Sequence, residues 1–212
     1  MADHPVFAAV YDRLTEPIER AGLADRRHRL LGGARGKVLE IGGGTGRSLG
    51  HYRPGEVDRV DVIEPDGAMR RRLESRAVTA PVDVRVHPGG VEDRYPDPPY
   101  DTVVCCLVLC TVPDLESAAA RLLGALAPGG RLLFIEHLRS PGWRGIVQHA
   151  VTPIWSRVVP GCHLDRDVLG ALRAAGFAVT EGDRFRIPQS GGVLHDLVEG
   201  TAIERIRPEA AA

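Results

Sequence analysis

Glu40, Gly42, Gly44 and Gly46 occupy alternate positions at the end of the apolar run Val38-Leu39-Glu40-Ile41. Glycine accepts positive φ and has no side chain, so such a turn lets a ligand lie against backbone N–H groups. A strand that ends in a glycine turn and opens a helix presents those groups at the C-terminal edge of a parallel sheet, where nucleotides bind. Gly43 belongs to the same turn. The dinucleotide fingerprint G-x-G-x-x-G does not fit: counted from Gly42 its last glycine falls on Arg47, and from Gly44 on Leu49. Glu64 follows Gly46 by 18 residues, at the end of the next apolar run, Val57 to Ile63. A carboxylate there can accept hydrogen bonds from both hydroxyls of a ribose. Glu64 could also serve as a charge at a helix N-terminus, with Asp66 competing as that cap. Pro65 completes the turn, and Met69 just beyond it is either a packing surface for a purine or core.

Two histidines are placed to handle protons. His137 ends the apolar run Arg131 to Ile135-Glu136, at the strand edge where a reacting group would stand. It is read either as a general base or as a polar strand-end residue. His163, in Gly161-Cys162-His163-Leu164-Asp165-Arg166, is the second candidate, against a plain capping loop with Asp165 as the cap. The four cysteines are Cys105, Cys106, Cys110 and Cys162, and none forms a C-x-x-C pair. That pattern argues against a disulfide framework or a zinc site, and reads as buried reduced thiols with no metal.

The elements that must hold these residues alternate between strand and helix. Lys37 to Ile41, Val57 to Ile63, Val82 to Val86, Tyr100 to Leu109 and Arg131 to Ile135 read as strands. Thr45 to His51, Gly67 to Ala77, Leu115 to Leu126 and Val168 to Ala175 read as helices, with Pro128-Gly129-Gly130 as a turn. Phe177 to Val179, Arg184 to Ile187 and Val193 to Ala202 supply the last strand pieces, the final one antiparallel. Val6, Phe7, Val10, Leu14, Ile18, Leu23, Leu30 and Leu31 mark an N-terminal helical cap over residues 1–34. A stripe of Trp143, Ile146, Val147, Ala150, Val151, Ile154, Trp155 and Val158 reads as the packing face of a helix bent at Pro153. The expectation is one α/β domain over 1–212: a doubly wound, Rossmann-like sheet of seven mostly parallel strands with helices on both faces. Its cofactor core covers 35–137, and its acceptor-side helices and last strands 138–212.

With 212 residues, 43% hydrophobic content, 26% charged residues and a net charge of −1, the chain has an ordinary globular composition. No global field favours nucleic acid or an anionic membrane. No run reaches membrane-spanning length, and no signal peptide opens the chain, so the expected setting is cytoplasmic, as a monomer or homodimer.

Phe7 to Asp12, Val38 to Arg47, Asp101 to Val112, Pro128 to His137 and Gly161 to Phe177 together resemble the class I S-adenosylmethionine-dependent methyltransferases, with E-x-G-x-G-x-G as their first motif. Within these, the chain is similar to small-molecule enzymes related to the ubiquinone and menaquinone methyltransferases, and especially to a thiol methyltransferase-like branch. The run Thr102 to Cys110 with Glu136-His137 is the most specific stretch. The resemblance implies S-adenosylmethionine as cofactor and a small-molecule acceptor, thiol or hydroxyl, with an apolar or aromatic body. It assigns the cofactor to Tyr11, Glu40, the glycines 42, 43, 44 and 46, Glu64, Pro65, Met69, Val91, Glu92 and Leu107. Where relatives carry an acidic residue in the loop after the third strand, this chain has Gly90, followed by Val91 and Glu92, which leaves adenine to Val91 packing and backbone contacts. The thiol-methylating relatives also carry an N-terminal apolar anchor that is not seen here. The alternatives are a non-catalytic S-adenosylmethionine-binding module and a C- or N-methyltransferase of quinone or phospholipid type. A nucleic-acid methyltransferase is disfavoured: Pro98-Pro99-Tyr100 lies before the fourth strand rather than after it, and there is no basic tract.

Overall fold

The computed structural model describes residues 3–187 and 196–205. Seven strands form one sheet: β1 (Gly36–Ile41), β2 (Val57–Glu64), β3 (Val84–Pro88), β4 (Tyr100–Cys106), β5 (Leu126–His137), β6 (Phe177–Arg186) and β7 (Asp196–Glu204). Their order is β3-β2-β1-β4-β5-β7-β6. The first five pair in parallel, and β7 runs antiparallel to both β5 and β6. The chain order reverses between β1 and β4, which opens a crevice at their C-terminal ends.

β1 and β4 are buried on both faces, and their alternating residues feed two cores. Leu39, Ile41, Val103 and Cys105 join one with Leu122, Leu169 and Phe177. Val38 and Val104 join the other with Val60, Val62 and Leu73. Central parallel strands therefore read as unbroken apolar runs. Around the sheet lie α1 (Pro5–Ile18), α2 (Ala24–Leu31), α3 (Gly67–Ala77), α4 (Leu115–Ala125), α5 (Trp143–Val158) and α6 (Val168–Ala175). Asp66 caps α3 through Ala68 and Met69 N–H, and Asp114 caps α4 through Ser117 N–H. Gly176, at φ 111°, ends α6.

Several segments differ from expectation. The N-terminal cap is two helices, because Gly22 at φ 120° breaks the path within a wide turn over Glu19–Leu23. Thr45 to His51 is not a helix: only Leu49–His51 makes a short 3₁₀ turn. Gly44 and Gly46 are left-handed, and Gly46 N–H closes a turn on Gly43 C=O, so an α-helix starts only after β2. Pro128-Gly129-Gly130 falls within β5, where the pairing jumps from Tyr100–Leu126 to Thr102–Arg131. The last two strand pieces before 188 are one strand, β6. The predicted strand from Val193 begins at Asp196, and residues 193–195 lie outside the described residues, as does the Ala-rich C-terminus.

The largest reversal is α5. Its apolar stripe turns outward, with Trp143, Ile146, Ile154 and Val158 each more than 60% exposed. Gly145, Gln148 and Thr152 face inward instead. Gln148 accepts Ser140 N–H at 2.7 Å and donates to Leu138 C=O at 3.2 Å, so this face packs on backbone that needs polar partners. Val6, Val10 and Leu14 of α1 are likewise exposed, while Phe7 and Tyr11 pack on Met69. Among the described residues no helix is long and apolar enough to cross a membrane.

Candidate functional site

The crevice at the β1–β4 switch is a cleft of about 280 Å³ lined by His4, Phe7, Tyr11, Gly42, Gly44, Glu64, Pro65, Asp66, Met69, Cys106, Leu107, Val108, Thr111 and Pro160. It continues behind the glycine turn into a small recess bounded by Tyr11, Arg27, Glu40, Gly42, Gly43, Gly44, Thr45, Ser48 and Leu107. Gly42, Gly44 and Gly46 have φ of 67°, 56° and 87°. At Gly42 a Cβ would meet Val108 Cγ2 at 2.3 Å, whereas at Gly44 it would meet nothing within 4 Å and would stand in the cleft. Ile63 C=O accepts both Gly42 and Gly43 N–H, which ties the turn to the end of β2.

Glu64 is 6% exposed. Its carboxylate accepts Gly44 N–H at 2.7 Å and Asp66 N–H at 2.9 Å. Burial pushes its pKa up, and these two backbone bonds oppose the rise. Asp66 takes the cap of α3, which frees Glu64 from that role and leaves it lining the cleft. His4 closes over the same corner, with its N–H and Nδ1 on the Asp66 carboxylate at 2.9 and 2.7 Å. Glu40 is buried, accepts Tyr52 O–H at 2.9 Å, and burial raises its pKa.

Arg27 carries a role the sequence reading missed. It lies in the polar run of α2 and is only 6% exposed. Nη2 bonds Glu19 Oε1 at 2.8 Å and Nη1 bonds Ser48 Oγ at 3.3 Å. Its Nε is buried with no partner among the described residues, beside the recess behind the glycine turn. An orphaned guanidinium donor there matches a ligand carboxylate. Only burial distinguishes Arg27 from the arginines around it.

On the opposite wall, Leu107 has φ 59°, the one positive φ outside glycine among the described residues. Such a conformation at a strand end marks a backbone held for a purpose. Leu107 N–H bonds Ile135 C=O at 2.7 Å. Glu136, fully buried at the end of β5, accepts Val108, Leu109 and Cys110 N–H at 2.9, 2.8 and 3.3 Å and so fixes this loop.

Of the residues expected at the cofactor, Tyr11, Gly42, Gly44, Glu64, Pro65, Met69 and Leu107 line the cleft, and Glu40 and Gly43 line the recess behind it. Gly46 shapes the turn from beneath, its α-carbon facing Leu73 and Leu49. Val91 and Glu92 are not among the lining residues: Val91 packs in the core and Glu92 is exposed. Neither candidate base lines the cleft. His163 Nδ1 stands 2.7 Å from Gly161 C=O. Asp165 is not the cap of α6, which is Asp167; it bonds His149 Nδ1 at 2.7 Å instead. His137 is 8% exposed, and its Nδ1 lies 3.4 Å from Cys110 Sγ and 3.8 Å from Cys162 Sγ. The two sulfurs are 3.8 Å apart, and their hydrogen bond pushes the pKa of Cys110 up and that of Cys162 down. Space thus gathers two cysteines and a histidine that sequence spacing kept apart.

A family model described as a methyltransferase domain matches residues 16–181. The chain is 29% identical over 179 residues to the human thiol S-methyltransferase TMT1A, covering 79% of this chain and 70% of that one. It is 34% identical over 162 residues to human thiol S-methyltransferase TMT1B, covering 73% and 66%. The chain therefore spans about two thirds of the length of these relatives. In structure it is similar to DhpI in complex with S-adenosylhomocysteine (TM-score 0.64, 21% identity, 96% of this chain and 94% of that chain). It is also similar to YcgJ of Bacillus subtilis (TM-score 0.67, 16% identity, 85% and 100%). The sheet order and the glycine turn are those of a class I methyltransferase. The chain belongs to the methyltransferase domain family, and is an S-adenosylmethionine-dependent methyltransferase.

Proposed function

We propose that this enzyme methylates the sulfur of a small apolar or aromatic thiol. The observation that carries the reading is the likeness to two thiol S-methyltransferases across most of the chain. The apolar character of the cleft beside the turn, from Phe7, Met69, Leu107, Val108 and Pro160, supports it. S-adenosylmethionine supplies an electrophilic methyl group on a sulfonium. In this reading Glu64 accepts the ribose hydroxyls, the Gly42–Gly44 backbone borders the methionyl chain, and Arg27 Nε takes its carboxylate. Tyr11 and Phe7, at 5.5 Å from each other and edge-on, close the cleft from α1 and keep water out. The demand on the protein is alignment of acceptor sulfur with methyl and leaving sulfur, and alignment supplies much of the barrier reduction. A thiol has an ordinary pKa of about 8.5, so part of it is already thiolate near neutrality and the need for a protein base is small. That agrees with a cleft into which neither His137 nor His163 opens.

The test is methyl transfer from isotopically labelled S-adenosylmethionine to a panel of alkyl thiols, aryl thiols, phenols and amines. Thioether products with S-adenosylhomocysteine release are expected. Turnover confined to phenols or amines would move the acceptor atom, and cofactor binding without turnover on any acceptor would make the chain a binding module.

A further inference from the structure

Cys110, His137 and Cys162 come from three different places in the chain: the loop after β4, the end of β5 and the loop after α5. Their donor atoms all lie within 4.8 Å of one another, and all three residues are buried. We propose that these residues form a zinc site with two thiolates and one imidazole nitrogen.

The distances carry the argument. Zinc bonds thiolate sulfur at about 2.3 Å and imidazole nitrogen at about 2.0–2.1 Å, in tetrahedral geometry. Two sulfurs on one such ion stand about 3.8 Å apart, and a sulfur and a nitrogen about 3.6 Å. Here the sulfur–sulfur separation is 3.8 Å, and the sulfur–Nδ1 separations are 3.4 and 3.8 Å. All three edges of the donor triangle agree to about 0.2 Å, the tolerance such a site allows. A disulfide would need the sulfurs at about 2.05 Å instead.

The frame around the donors is fixed. Glu136 holds Cys110 N–H, and Cys110 C=O accepts His163 N–H at 2.9 Å, which ties the two cysteine-bearing loops together. Cys162 N–H closes on Val159 C=O. His137 is registered against Leu197 in β7. Trp155, Val159 and Leu164 give the sulfurs an apolar shell. Thiolate with imidazole selects zinc and other thiophilic ions over magnesium or calcium. Binding displaces to solvent whatever protons the two sulfurs carry, and the zinc dication balances the two thiolate charges. Among the described residues three donors meet here, which leaves one tetrahedral position, as in the open arrangement of catalytic zinc. Thr111 and Pro160, within two residues of the cysteines, line the cleft, so the site stands directly behind its acceptor wall.

The experiment is titration of the whole, reduced chain, with its four thiols counted, by Co²⁺ as a spectroscopic stand-in for zinc. One equivalent should bring up a thiolate-to-cobalt charge-transfer band and visible bands of tetrahedral intensity, both removed by one equivalent of Zn²⁺. Loss of an outer partner of a zinc ligand costs 10–100-fold in affinity, so Cys162→Ser should weaken zinc binding by more than about 100-fold. His137→Gln should do the same, and Cys105→Ala should change nothing. Should Cys162→Ser fail to fold, the wild-type titration and His137→Gln still decide. No charge-transfer band in the reduced wild-type chain, or a band that survives His137→Gln, would overturn the proposal.

Discussion

On the side of the cleft built from α1, β1, β2 and α3, carboxylates hold backbone N–H groups and polar side chains. Glu64 takes two N–H groups, Asp66 caps α3 and holds His4, and Asp12 gathers Thr45, Arg47 and Arg76. On the side built from β4, β5 and α5, one carboxylate, Glu136, fixes the loop, and the space behind it holds two sulfurs and an imidazole. The outer face there, on α5, is exposed and apolar. The first side is a rigid template for a single polar ligand. The second is assembled from distant parts of the chain.

The sharpest way to break the template is at Arg27. Arg27→Met leaves Glu19 as an uncompensated buried carboxylate, and removing one partner of such a pair costs about 3–5 kcal/mol. Thermal denaturation should show that loss, and adding Glu19→Gln should recover most of the stability but not the affinity for S-adenosylhomocysteine. Recovery of both would remove Arg27 from the cofactor site. Gly44→Val comes next. Its side chain enters the open cleft rather than a packed wall. Cofactor affinity should fall at least about 100-fold, or about 3 kcal/mol, because the side chain occupies the space of the ligand. Calorimetry giving an unchanged affinity would contradict the placement of the ligand.

Within α5, Gln148→Leu should cost about 1–3 kcal/mol by leaving Ser140 N–H and Leu138 C=O unpaired. Ile154→Ser on the exposed face should stay within about 0.5 kcal/mol. Equal effects in denaturant melts would mean that the outward face is covered. Asp12 gives a small effect with a pH signature. Burial opposes its ionisation, but the Thr45 hydroxyl and the Arg76 and Arg47 guanidiniums outweigh it and hold its pKa below the usual 3.8. Because the folded value is depressed, its contribution is in place above the unfolded value and is lost as pH falls through the folded one. The group is partly exposed, so Asp12→Asn should cost no more than about 1 kcal/mol at neutral pH. The variant should also flatten the stability curve below about pH 4; an identical acid limb in both proteins would count against this latch.

The template was legible because its signals are local. The glycine spacing, the acidic residue ending β2 and the cap at Asp66 lie within 27 residues of one another, and glycines at positive φ leave a mark in the sequence. The apolar runs of β1, β2 and β4 gave the sheet for the same reason. Arg27 left no mark, because only tertiary packing separates it from its exposed neighbours. The turn after Gly44 deceived because helical periodicity says nothing about the left-handed glycines at 44 and 46 on either side of Thr45. Much of the stripe of α5 pointed the wrong way because the inward face meets backbone groups, whose need for partners outweighed the burial of Trp143, Ile146 and Ile154. Cys110, His137 and Cys162 are separated by 27 and 25 residues; the adjacent ends of β4 and β5 bring the first two together, and the loop after α5, tied to Cys110 C=O through His163 N–H, adds the third.

The central claim is that the cleft at the β1–β4 switch binds S-adenosylmethionine. Isothermal titration of the wild-type chain with S-adenosylhomocysteine, run beside NAD, tests it most directly. One site of about micromolar affinity for the former and none for the latter is the predicted result. Binding of NAD, or of neither ligand, would contradict the account.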